Sequence, residues 1–110
     1  MREWDIVWSK DAEADLDSIY SYISAQLLEP TIAKNQTGRI KTAVQGLTQM
    51  PERFPLYRTE PWRSRGVRQM VINHYIVLYR PMEENSDVLI LRVLYGKRDI
   101  DKALATPLHL

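Results

Sequence analysis

At 110 residues, with 45% hydrophobic side chains and a formal charge of +1, the chain has the length of one domain (1–110) and no room for a second. It has no cysteine, which excludes disulfides and thiolate metal sites. No apolar run reaches membrane-spanning length, and Met1-Arg2-Glu3-Trp4-Asp5 lacks the apolar core of a signal peptide, so a soluble cytoplasmic protein is expected.

The first predicted element is a strand, because Trp4, Ile6 and Trp8 alternate with Glu3, Asp5 and Val7 at the period of a half-buried β-strand. Ser9 then suits a helix N-cap, with Asp11 and Glu13 in the first turn, where the helix dipole favours carboxylates. Leu16, Ile19, Tyr20, Ile23 and Leu27 fall on one face of that helix, leaving an acidic outer side. Glu29-Pro30-Thr31 ends it and starts a second helix, since proline is tolerated in a first turn. Ile32, Ala33, Ile40, Ala43, Val44, Leu47 and Met50 carry the 3.6-residue rhythm up to Pro51. Gly38 and Gly46 lie within it at about 1 kcal/mol each relative to alanine, and close helix packing is the expected reason.

Pro51 to Gly66, with three prolines and no clear period, reads as a loop. Three strand-like runs follow: Val67 to Ile72, Tyr75 to Arg80 and Val88 to Tyr95. Asn73-His74 suits a tight hairpin turn, Pro81 to Asp87 a longer one, and such short connections imply antiparallel pairing. Tyr75 and Tyr79 share a strand face and are expected to pack there, Gly96 to permit a sharp turn, and Asp99 to Leu104 to form a short C-terminal helix before a frayed tail. The predicted fold is α+β: an N-terminal strand, then a helical hairpin on one face of a four-stranded, largely antiparallel sheet, the other face open to water or a partner.

Charge is unevenly spread. Met1 to Glu29 carries a net −5 and Pro30 to Arg80 a net +7, an asymmetry able to attract a polyanion or an acidic protein. Two isolated histidines and no cysteine make no metal-ligand cluster, and no glycine-rich phosphate loop is present, so no metal or cofactor is expected.

Three patterns carry a resemblance. Ser9-Lys10-Asp11-Ala12 leads into Asp15-Leu16-Asp17-Ser18-Ile19-Tyr20-Ser21-Tyr22-Ile23; Leu47 to Pro55 closes the second helix on a proline-flanked segment; and Tyr75-Ile76-Val77-Leu78-Tyr79-Arg80 precedes Ile90-Leu91-Arg92-Val93-Leu94-Tyr95-Gly96-Lys97-Arg98-Asp99-Ile100. With the element order, they make the chain, from about Trp4 to Leu104, similar to the RelE/ParE superfamily of bacterial type II toxins, and closer to its ParE branch. RNase members of that superfamily resemble one another in activating a ribose 2′-hydroxyl against the adjacent phosphate, which needs a base, an acid and cations around the phosphorane. Of the RelE-like set only Arg98 matches by position, with Arg68 as the nearest substitute in the second strand. Ile76 follows Tyr75 where an arginine would stand, and Leu104 stands near the place of the terminal tyrosine. Other nuclease members end in a His-Tyr pair; here His74-Tyr75 lies at a hairpin, and His109 has no tyrosine near it.

The resemblance therefore implies a non-catalytic poison of DNA gyrase, with a ribosome-dependent mRNA endoribonuclease or an inactive antitoxin-binding homologue as alternatives. Candidate target-binding residues are Arg63, Arg65, Arg68, Arg80, Arg92, Lys97 and Arg98, because either target bears nucleic acid whose phosphates reward cations. It also implies a cognate antitoxin of the ParD, RelB or Phd kind, in a hetero-oligomeric complex. Tyr20, Tyr22, Trp62 and Met70 are the candidate apolar contacts for such a partner.

Overall fold

The computed structural model describes residues 3–96. The expected C-terminal helix, and Lys97, Arg98 and His109, lie outside them. The N-terminal alternation forms β1 (Asp5–Trp8), and Ser9 caps α1 (Lys10–Ser21) by accepting the Ala12 N–H on its side chain. A π-helical turn, Tyr22–Gln26, ends the first helix; Leu28 beyond it is left-handed, at φ 55°. Pro30 opens α2 (Pro30–Gln45), which tightens into a 3-10 turn at Gly46–Thr48. The remaining strands are β2 (Arg68–Ile72), β3 (Tyr75–Met82) and β4 (Asp87–Tyr95).

The sheet order is β1-β4-β3-β2, with antiparallel β2–β3 and β3–β4 pairs and β1 running parallel to β4. It is thus a mixed sheet whose two central strands are those at the C-terminal end. Between β3 and β4 the register skips: Leu78 pairs with Arg92 but Tyr79 with Ile90, leaving Leu91 as the extra residue of a bulge. The skip breaks the odd–even alternation of β4. Val88, Ile90 and Val93 consequently share the helix side, while Leu91 and Leu94 share the other.

Each face of the sheet carries a core. Leu16, Ile40, Val44 and Leu47 of the helical layer close on Val77, Tyr79, Val88 and Ile90. The second face departs from the expectation that it would lie open. The segment between α2 and β2 folds across it and packs Tyr57, Trp62 and Val67 against Leu78, Leu91 and Leu94. The cause is in the central strands, which are apolar on both sides and need two covers. The linker is tied in place by its carbonyls: Tyr79 donates its hydroxyl to Pro51 O at 2.7 Å, and Arg68 donates to Glu52 O at 3.1 Å and Phe54 O at 2.7 Å.

Close helix packing does not explain the glycines of α2. A Cβ on Gly38 would meet nothing within 4 Å, and one on Gly46 only the Arg53 guanidinium at 3.5 Å. Gly96 does take the left-handed conformation a sharp turn requires, at φ 73°, and donates its N–H to His74 O.

Candidate functional site

Where β1 ends, the outer edge of β4 runs on without a strand neighbour among the described residues. Its backbone groups are taken up by the residues that open the helical layer. Ser9 donates its N–H to Ile90 O and its hydroxyl to Leu91 O, each at 3.0 Å. Asp15, one turn into α1, accepts the Val93 N–H at 2.9 Å and binds Arg92 through Nε at 2.7 Å and Nη2 at 2.8 Å. Both side chains are largely withdrawn from solvent, at 15% exposure for Asp15 and 24% for Arg92. The hydrogen bonds that Arg92 donates to Asp15, partly offset by burial, hold its guanidinium above its ordinary pKa. Arg92, expected among target-binding cations, is therefore engaged internally as the tie between β4 and α1. Asp15, grouped in sequence with the acidic outer side of the helix, faces the sheet.

The other candidate cations fall into three situations. Arg68 is half-buried and committed to the Glu52 and Phe54 carbonyls, while Arg80 is half-buried on β3. Lys97 and Arg98 lie beyond the described residues. Arg63 and Arg65 are exposed on the turn that precedes β2, and they are joined there by Arg58, which the sequence did not single out.

The apolar candidates divide as sharply. Met70 and Trp62 are 3% and 7% exposed and belong to the two cores, so neither offers a surface to a partner. Tyr20 and Tyr22 are exposed, and Tyr22 lines an open groove of about 530 Å³ between the helical hairpin and the β2–β3 turn. Ile19, Ile23, Leu27, Ile32, His74, Tyr75 and Tyr95 complete its apolar and aromatic lining. Sequence reading placed Leu27 and Ile32 on buried helical stripes. Both lie beside the π-turn and the left-handed Leu28 that interrupt the regular helical stripe at the tip of the hairpin. The adjacent Leu27-Leu28 pair just before a helix break was the one available signal. Tyr95 packs edge-on against Tyr75 at 5.3 Å and His74 at 6.2 Å between ring centroids, giving the groove an aromatic wall.

None of the tyrosines of β3 is placed as a base. Burial pushes the Tyr79 hydroxyl up to about 12, against the opposing pull of Arg68 and Arg53, and it also raises Tyr75 with help from Tyr95. Among the described residues no group of three or more His, Cys, Asp or Glu side chains is arranged to hold a metal ion. No described helix is long and apolar enough to cross a membrane.

Comparison with known structures gives the same architecture. The chain superposes on the chromosomal ParDE toxin–antitoxin system of P. aeruginosa with a TM-score of 0.71 at 24% identity, over 88% of this chain and 100% of that one. It superposes on the RelBE2 toxin–antitoxin complex of Mycobacterium tuberculosis with a TM-score of 0.61 at 22% identity, over 86% and 93% of the respective chains. A mutant of the E. coli toxin RelE in the free state gives 0.62 at 13% identity, over 94% and 92%. No curated protein sequence matches the chain. The family model for the ParE toxin of type II toxin–antitoxin systems matches residues 6–100, from β1 through β4 and beyond, and the chain accordingly belongs to that family of toxins.

Proposed function

We propose that the protein arrests growth as a non-catalytic poison of DNA gyrase and is neutralised by a cognate antitoxin. The observation that carries this reading is the commitment of Arg68, the nuclease candidate that lies among the described residues, with no tyrosine of β3 free to act as a base beside it. Arg68 donates to two backbone carbonyls, and the Tyr79 hydroxyl is bonded to Pro51 O and held protonated far above neutral pH. Acid–base cleavage of RNA needs groups that exchange protons near neutrality, whereas trapping another enzyme needs only a surface. Membership of the ParE family supports the same target.

The groove is the proposed seat of the antitoxin. Tyr22, Leu27, Ile32 and Tyr95 are between 46% and 58% exposed around it, and an amphipathic helix laid along them would bury apolar surface the toxin alone cannot. Expressed alone in bacteria, the protein should halt growth, and the neighbouring gene should restore it. Purified protein should block supercoiling by gyrase and accumulate cleaved DNA. Cleavage of ribosome-bound messenger, with gyrase untouched, would overturn the proposed target.

A further inference from the structure

One stretch of the surface presents cations with no large apolar side chain exposed among them. From Pro51 to Gly66 no large apolar residue is exposed, while Arg58, Arg63 and Arg65 all are. Their turn is held at both ends. Tyr57 donates its N–H to Val67 O at 2.7 Å, Val67 donates to Trp62 O at 3.1 Å, and Arg63, Arg65 and Gly66 donate to Thr59 O, Pro61 O and Arg63 O. Beneath it the buried Tyr57 and Trp62 anchor the segment to the sheet, and the Arg65 guanidinium lies 5.5 Å from the centre of the Trp62 ring. Glu60, the acid of the turn, accepts the N–H and hydroxyl of Ser64 and lies within Coulomb reach of Arg63. None of the three arginines forms an ion pair with a carboxylate among the described residues.

A protein partner draws most of its affinity from apolar or aromatic anchors seated in pockets, and this surface presents none. Cations on a preordered backbone, without apolar neighbours, match a chain of phosphates. We infer that the Arg58–Arg65 turn is a contact surface for the sugar–phosphate backbone of duplex DNA, independent of base sequence. The inference rests on the gyrase reading for its setting, a poison acting where DNA is held, and it adds a direct toxin–DNA contact to it.

The test is binding of purified toxin to a short labelled duplex across a salt series. Three phosphates neutralised correspond to a slope of log affinity against log salt of about −2.7, a loss of ~40-fold between 50 and 200 mM salt. Replacing all three residues (Arg58→Gln, Arg63→Gln, Arg65→Gln) should abolish most of that slope with an unchanged melting temperature. The same charge removed from the exposed cations of α2 (Lys34→Gln, Arg39→Gln, Lys41→Gln) should leave it intact. Equal losses from both triples would show diffuse attraction and overturn the inference, as would failure of the wild-type protein to bind duplex at 50 mM salt. Competition by poly-glutamate as strong as by DNA would assign the turn to an acidic protein and overturn it likewise. Gyrase inhibition is scored separately. Full inhibition by the arginine triple refutes the DNA contact and spares the target, whereas no inhibition by the wild-type protein refutes the target and leaves the duplex measurement standing.

Discussion

Replacing Asp15 with alanine should destabilise the protein far more than removal of an ordinary helix-surface carboxylate. The substitution deletes acceptors for three hydrogen bonds, stripping the Arg92 guanidinium of its two hydrogen bonds to a carboxylate and the Val93 N–H of its acceptor on β4. A hydrogen bond to a charged group contributes about 1.5–3 kcal/mol, and an orphaned buried donor costs about 1–3 kcal/mol. At 24% exposure Arg92 recovers part of its hydration, so the combined loss is discounted to about 2–3 kcal/mol. Against a typical domain stability of about 5–15 kcal/mol, that is a large fraction. It corresponds to a melting temperature lower by roughly 10–20 °C. Urea unfolding measures it directly, as a lower midpoint with an unchanged slope. Asp15→Asn, which can still accept from Val93, should lose less. Combining Asp15→Ala with Arg92→Ala should give a coupling energy of at least about 1 kcal/mol. A single-mutant loss below about 0.5 kcal/mol, the range of unremarkable surface positions, would refute the edge-capping role.

Three further outcomes are expected. Gly38→Ala should raise stability by about 1 kcal/mol in urea unfolding, because the helix gains propensity and the new methyl meets open space. Tyr79→Phe should cost about 1 kcal/mol through loss of the bond to Pro51 O. Because folding raises the pKa of Tyr79 from its ordinary 10.0 to about 12, its contribution is complete below pH 10 and is lost as pH climbs through about 12. Alkaline unfolding should therefore be shallower in the phenylalanine variant, and tyrosinate absorbance should show one fewer late-titrating group. Leu27→Ser with Ile32→Ser should weaken antitoxin binding by at least tenfold in calorimetry while leaving the melting temperature within a few degrees, since both side chains are about half exposed already.

The four strands, the helical hairpin and the N-cap at Ser9 were legible from local pattern, because period, capping and turn chemistry act over a few residues. The family, too, was legible, in the run from Tyr75 to Ile100. Pairwise and surface properties were not. Asp15 carries the same sequence signature as Asp11 and Asp17, and only the ending of β1 at Trp8 turns it into a partner for Arg92 and Val93. Trp62 and Met70 differ from Tyr20 and Tyr22 in which layer folds over them, something no window of sequence records. The cover over the second sheet face is the largest such decision. An aperiodic, proline-containing stretch read as a solvent loop, yet apolar central strands drew Tyr57 and Trp62 down upon them and thereby raised Arg58, Arg63 and Arg65 into solvent. Local chemistry determined the elements of this protein. Burial across residues distant in the chain decided which of its charges are bonded inside and which stay exposed, since burial belongs to the packed layers and to no residue alone.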